Sequence, residues 1–381
     1  MNRSVYITKI ASFLPNDPVS NDEMENFLGK INNQASKAKP LILRNNQIKS
    51  RYYASDKQGN PTHTNTEMTK LAIEKLFDKN FTLEDVEVLS CGTTTPDQLL
   101  PAHAAMVHGA LGGQAVEINS TTGACSAGIQ ALKFGFLSVL SGASSNAVCC
   151  GSERFSIWML AKYFKEEGIK VAQLEGDGII AFEKDFLRFM LSDGASAALL
   201  QDMPNPNGLS LRVEWIEQRS FAHELPACMY AGAIKNATGE FIGWSDLDQD
   251  VWTSESVFAI KQDTKLLGDF IVKKGGELLK QIADSKKYDL KKITYFLPHL
   301  SSQYFASRIE KQLNSLGLGE DLPNSKWFTN LSWVGNVGAA SPFLMLDELF
   351  NSGKVKKDDQ ILLMVPESAR FNYAYVLLTV V

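Results

Sequence analysis

Three residues in this chain have the types and surroundings for nucleophilic chemistry. Cys125 lies in "NSTTGACSAG" (119–128), between an apolar run, "QAVEI", and an amphipathic one, "IQALKFGFLSVL". A strand feeding a helix there puts the thiol at a helix N-terminus. Unpaired N–H groups and a partial positive charge at that point favour thiolate, and a lowered pKa makes the sulfur nucleophilic. Gly123, Ala124, Ser126, Ala127 and Gly128 are small enough to let a substrate reach it. The plain alternative is a buried, inert cysteine. His299, in "YFLPHLSSQYF", stands where a strand ends at Pro298 and the next helix begins. A helix N-terminus disfavours a nearby cation, so a neutral imidazole is expected, able to donate to a developing oxyanion. Its alternative is a capping or core histidine. Asn336, in "WVGNVGAAS", has glycines on both sides that let the backbone turn and present the amide at a helix start. Asn in such a place can also be only a cap.

The elements that must position these residues alternate along the chain. Strand-like runs are "SVYITKIAS", "VEVLSCGTT", "AVEINST", "NAVCCGSE" and "ASAALLQD"; helical patterns cover Thr66–Phe77, Ala102–Leu111 and Ser126–Leu140. "DMPNPNG" (Asp202–Gly208) reads as a linker. Beyond it come strands "LSLRVEWIEQ", "ITYFLPH", "SKWFTNL", "QILLMVPE" and "YAYVLLTVV", with helices near Ser256–Ile282, Ser301–Leu316 and Ala340–Phe350. The alternation predicts an α/β chain around a buried, mostly parallel sheet. Two halves are expected, 1–203 and 204–381, built as copies of one unit. Cys125 precedes the closing Ser141 of its helix by sixteen residues, and Asn336 precedes Ser352 by the same sixteen.

Composition narrows the function classes. A chain of 381 residues, 44% hydrophobic and 21% charged, is an ordinary globular balance large enough for two domain-sized units. A net charge of −5 with no basic stripe argues against nucleic acid. The five cysteines follow no disulfide or CxxC spacing, so free thiols in a reducing compartment are expected. No signal-peptide core or transmembrane run is evident, which makes the expected location cytoplasmic. Cys91, Cys149 and Cys150 fall inside apolar runs and read as core; Cys228 has no assignment. His103 and His108, five apart, do not share a helix face well, so no metal pair is expected.

With Cys, His and Asn in this order at strand-to-helix junctions, the sequence resembles the thiolase superfamily, and within it the 3-oxoacyl-(acyl-carrier-protein) synthase III family. "GACSAG" looks like the nucleophile motif, "LPH" like the strand-Pro-His, "GNVGAASPFLMLDEL" like the Gly-Asn motif, and "LSDGASAALL" like the strand closing the first half. "IKSRYY" (Ile48–Tyr53) is similar to the basic segment near the family's coenzyme A entrance, with Lys49 and Arg51 as its cations. The resemblance implies a five-layer αβαβα fold, a homodimer and two-step chemistry without a bound cofactor. An acyl group moves from a coenzyme A or carrier-protein thioester to Cys125. A carbanion from a second thioester then attacks it, with His299 and Asn336 holding the enolate oxygen.

The departures from that family matter as much. After the His, the family's Gln-Ala-Asn is here Leu300-Ser301-Ser302. The family's glycine loop beside the nucleophile is here "VPESARFNY", with Glu367, Ser368, Ala369 and Arg370. Ser368 and Arg370 are expected to touch substrate. Glu367 is a candidate base for an α-proton, or the partner of Arg370 in a salt bridge. An insert, Met159–Phe186, is rich enough in Phe, Ile and Tyr to line a longer acyl pocket. Leu100 matches the family residue that crosses the dimer axis and ends the partner's pocket, or it is simple interface packing. Lys273, Lys274 and Lys280, with Lys49 and Arg51, could dock an acidic carrier protein. These features point to a specialised condensing enzyme, resembling the dialkylresorcinol-forming ketosynthases. The alternatives are fatty-acid chain initiation, an ester- or amide-forming acyltransferase, and a non-catalytic subunit of a heterodimer.

Overall fold

The computed structural model describes residues 3–164, 186–236 and 238–381. Its longer elements are, in order, β1 (Tyr6–Phe13), α1 (Asn65–Glu74), β2 (Val88–Thr93), α2 (His103–Leu111), β3 (Glu117–Thr122), α3 (Ala127–Ser141), β4 (Asn146–Glu153) and β5 (Gly194–Gln201). The second part continues with β6 (Leu211–Ser220), α4 (Thr264–Lys286), β7 (Tyr295–Pro298), α5 (Ala306–Ser315), α6 (Ser341–Phe350), β8 (Gln360–Pro366) and β9 (Asn372–Val380).

Nine strands form one sheet, in the order β7-β8-β9-β6-β1-β5-β4-β2-β3. The order is the same one twice. Outward from the centre, the first part runs first, fifth, fourth, second, third strand. The second part runs β6, β9, β8, β7, and Trp327 then bridges Phe296 of β7 in the third-strand place. The two halves of this sheet, a first sheet and a second, join where β1 pairs with β6, at Tyr6–Arg212 and Ile7–Leu211. Helices α1 and α2 cover the outer face of the first sheet, and α4 and α5 that of the second. Helices α3 and α6 lie between the sheets and touch each other, which gives the five-layer thiolase-like αβαβα arrangement.

Three expectations need correction. The sheet is mixed rather than mostly parallel, since five of its eight pairings are antiparallel. Each closing strand, β5 and β9, returns against its neighbours. "SKWFTNL" is not a strand: Asn324–Lys326 is a turn of 3-10 helix, and Trp327 contributes a single parallel bridge. The long helix starts at Thr264, not near Ser256. Ser256 has φ +46, Lys261–Gln262 pairs with Met229–Tyr230, and only then does Asp263 cap the helix through Leu266 N–H at 2.9 Å.

The central strands tell why the sheet is covered on both faces. Every residue of β4 is buried, and β5 is "GASAALLQ", small residues under helices on either side. Cys91, Cys149, Cys150 and Cys228 are all buried free thiols. Among the described residues no helix is long and apolar enough to cross a membrane.

Candidate active site

Cys125 lies two residues before α3, in the core between the sheets. What brings α3 there is a close backbone approach. A Cβ on Gly128 would come within 2.2 Å of the Ala339 carbonyl oxygen, so only glycine lets the helix start abut the loop that follows Asn336. The thiol is 6% exposed. Burial, then the nearby Glu367 and Glu153 carboxyls, push its pKa up rather than down. The lowered thiol pKa expected from the helix N-terminus is therefore overturned: desolvation and two carboxyls raise it, and the resting sulfur is a thiol.

His299 follows β7 and donates its backbone N–H to the Met364 carbonyl at 2.8 Å. The next helical turn begins only at Gln303, so a helix dipole does not act on the imidazole. Burial alone lowers its pKa to about 4, which keeps the ring neutral at physiological pH. Its Nε2 is buried with no hydrogen-bond partner among the described residues. An unpartnered buried nitrogen is costly unless something else comes to meet it.

Cys125 and His299 line the same cavity, with Ser368 on its rim and Leu267, Ile271, Val272, Phe305, Ile309 and Met364 as apolar walls. Leu267 and Phe305 also line a second, outer depression with Asn45, Lys265, Ser302 and Arg308. The two spaces thus share walls from the surface to the sulfur. Asn336 does not line this cavity. It sits one loop away, buried, after Gly335 at φ +78. Its carboxamide oxygen accepts from Gly338 N–H at 3.0 Å, which leaves the NH2 end as the donor to offer.

The loop that replaces the family's glycines is held by its own acid. Glu367 Oε1 accepts from Ala369 N–H at 2.5 Å, and Oε2 from the N–H groups of Arg370 and Asn372, each at 3.2 Å. Burial raises its pKa, and those three donors lower it. Phe371 takes up φ +58, a strained conformation for a bulky residue. Asn372 Nδ2 donates to Ser126 Oγ at 3.1 Å, tying this loop to the residue after Cys125. Among the described residues Glu367 makes no salt bridge to Arg370; the guanidinium is exposed and donates to the Ala222 carbonyl at 3.3 Å.

The predicted cationic patch does not assemble. Arg51 is fully buried, donating to Asn21 Oδ1 at 2.7 Å and to the Phe189 carbonyl at 3.2 Å, so it supports the core and not an entrance. Lys274 is paired with Glu224 and Lys280 with Asp284, while Lys49 and Lys273 are exposed. The cations lining the adjoining depression are Lys265 and Arg308, with Arg308 lying 4.3 Å over the Tyr304 ring. Leu100 is 85% exposed and Leu99 73%. Most of the Met159–Phe186 insert, residues 165–185, lies outside the described residues. His103 is buried, its Nε2 facing Thr69 and Ser152, and His108 faces the Gln114 carbonyl.

One functional candidate escaped the sequence pattern. Glu153 ends β4, fully buried, and its carboxyl reaches the Thr94 turn and the Ala339 N–H. The available signal was an acid closing a run of small and apolar residues, "NAVCCGSE".

The chain is similar to known proteins along its length. Residues 283–368 match the model for the C-terminal part of 3-oxoacyl-[acyl-carrier-protein] synthase III, a span that holds both His299 and Asn336. Curated relatives include the β-ketoacyl-[acyl-carrier-protein] synthase III of Clostridioides difficile, 23% identical over 364 residues, covering 96% of this chain and 95% of the relative. The chain is ketosynthase III-like in sequence and thiolase-like in fold. A similar ketosynthase III of Clostridium perfringens is 23% identical over 352 residues and covers 92% of each chain. Among solved structures the fold is shared with the tetronic acid condensing enzyme AbyA1, at TM-score 0.75 and 18% identity, covering 98% of this chain and 99% of that one. It is also shared with Xanthomonas campestris OleA, solved with lauric acid and lauroyl-CoA, at TM-score 0.73 and 17% identity over the whole of both chains. As a ketosynthase III-like protein, the chain is of the acyltransferase, condensing-enzyme type.

Proposed function

We propose that this ketosynthase III-like enzyme accepts an acyl group on Cys125 and joins it to a second thioester by a Claisen condensation. The observation that carries this is the shared cavity: a thiol and a neutral, unpartnered imidazole nitrogen face one apolar space. Exchange of one sulfur leaving group for another makes acylation nearly balanced. The thiol proton passes to the departing sulfur of the donor thioester as the new thioester forms, so the exchange balances, and burial strengthens every dipole that meets the developing charge. His299 Nε2–H and the Asn336 amide then hold the enolate oxygen of the second substrate. A neutral imidazole suits that task, because a donor is needed and a permanent cation is not.

The substrates are acyl thioesters on coenzyme A or on a carrier protein, with no bound cofactor. The thioester arm enters past Lys265 and Arg308, whose charges suit a phosphate, and runs between Leu267 and Phe305 to the sulfur. Ser368 borders the acyl group and Glu367 holds its loop; proton removal by Glu367 would require it to give up N–H contacts of that loop. The apolar walls and the replaced glycine loop support a longer acyl chain than acetyl, in specialised lipid or polyketide synthesis such as that of dialkylresorcinols. The exposed Leu99 and Leu100 and the edge strand β3, with Ile118 41% exposed, support a homodimer through this face. Incubation with decanoyl-CoA followed by a β-ketoacyl thioester, with products resolved by mass spectrometry, tests the reading. A carbon–carbon-linked product supports it; ester or amide products overturn it.

A further inference from the structure

Glu153 ties three segments around the nucleophile. Its Oε1 accepts from Ala339 N–H at 3.2 Å, three residues beyond Asn336. The Thr94 N–H faces both oxygens, at 3.0 and 3.2 Å, and the Thr95 hydroxyl donates to Oε2 at 2.7 Å. The decisive group is the Thr94 hydroxyl. Its Oγ1 lies 2.6 Å from Glu153 Oε1 and also 2.6 Å from the Gly123 carbonyl oxygen. A hydroxyl carries one proton, so it cannot make two short, linear donor bonds at once. With Glu153 ionised, one of these contacts sets lone pair against lone pair. With a proton on Oε1, Glu153 donates to Thr94 and Thr94 donates on to Gly123. The protonated carboxyl gives both short contacts a proton of their own.

We propose that Glu153 is a positioning residue for the Cys125 loop, its protonated carboxyl acting through the Thr94 hydroxyl to tether the Gly123 carbonyl. Gly123 is the point where that loop can swing, because its φ of +146 is one that other residues rarely adopt. Burial raises the Glu153 pKa to about 7, so the tethering proton is lost within the neutral range. On ionisation the proton goes to solvent, the Thr94 hydroxyl turns to the carboxylate, and Gly123 is released. The titratable groups around Glu153 are few. Cys125 faces it from the start of α3, and the Arg154–Asp97 pair, 3.7 Å apart, flanks it from the chain and the Thr94 turn. His103, bonded to Ser152, is held neutral by burial with a pKa of about 4. The segment Asn336–Ala340 brings no titratable side chain.

The inference rests on Cys125 being the acylated residue, and its test separates the two. Single-turnover acylation of Cys125 by decanoyl-CoA is followed by intact mass across the neutral range in the parent, E153Q and T94V. The side-chain amide introduced by E153Q offers Thr94 an N–H that pH cannot remove. The ratio of parent to E153Q rates should fall as pH rises, by roughly 2- to 10-fold, the worth of one neutral hydrogen bond, with its midpoint near about 7. T94V should lack the inflection and T94S should restore it. A flat ratio, or the same inflection in E153Q, overturns the tether. If E153Q fails to fold, the T94V and T94S pair carries the test alone. If the parent takes no acyl group on Cys125, the proposed function fails first. The same ratio is then read from iodoacetamide alkylation of Cys125, and a flat ratio there overturns the tether separately.

Discussion

Replacing His299 by alanine separates the two chemical steps. The imidazole is buried, neutral, and unpartnered at Nε2, so its donor is preorganised and pays no reorganisation when an enolate oxygen arrives. Removing one such donor costs on the order of 10²–10³ in rate, or about 3–4 kcal/mol of transition-state stabilisation. The substitution should therefore slow condensation by that factor while acylation of Cys125 stays near the parent rate. The assay preloads Cys125 with a decanoyl group, adds the second thioester, and follows product and acyl-enzyme separately by mass. A second signature comes from pH. An unfolded His protonates below about 6.5, while folding holds His299 neutral until about 4. The unfolded chain binds the extra proton in that window, so stability falls as pH drops through it, by up to about 3 kcal/mol. His299→Ala should flatten that arm in urea titrations at a series of pH values. A mutant that loses acylation of Cys125, or one whose preloaded enzyme condenses at the parent rate, would refute the assignment.

Asn336→Ala should likewise acylate and then stall, with condensation slowed on the order of 10²-fold; its acyl-enzyme should accumulate in intact-mass spectra, and a mutant that turns over normally removes Asn336 from the set. Glu367→Gln keeps the shape but sets an amide N–H against one of three loop N–H donors. It should cost about 1–3 kcal/mol in stability by urea titration; if Glu367 also takes the α-proton, condensation drops further than acylation, and equal losses in both steps leave it only the loop. Competition among acetyl, hexanoyl and octanoyl thioesters for Cys125 should favour the longer chains. Each buried methylene contributes about 0.8 kcal/mol, so four of them give about two orders of magnitude. A clear preference for acetyl would return the enzyme to chain initiation.

How far the sequence reached follows from what each signal depends on. Cys125, His299 and Asn336 were legible because each sits at a chain turn marked by small residues, Pro or Gly, which are local features. The neutral His299 was foreseen, though burial and not a helix dipole causes it, and the pKa direction of Cys125 was not. The Cys125 thiol is governed by burial and by Glu367 and Glu153, which are far away in sequence. Arg51 looked like an entrance cation because its burial depends on the Phe189 carbonyl, 138 residues away. The cavity walls come from α4 and from the residues around α5, whose apolar spacing reads the same whether they face a core or a substrate. "SKWFTNL" has the composition of a strand, yet only Trp327 pairs. The repeated strand order was hinted at by the sixteen-residue spacing, but that spacing fits the helices only loosely. Ser141 is the last residue of α3, whereas Ser352 lies two residues past α6.

The central claim is that Cys125 carries the acyl group. Intact-mass analysis of the protein after brief exposure to decanoyl-CoA, with peptide mapping of the adduct, tests it most directly. The parent should gain one decanoyl mass on the peptide containing Cys125, and Cys125→Ala, still folded, should gain none. An adduct on Cys228 or another residue in the mutant, or no adduct in the parent, would contradict the account.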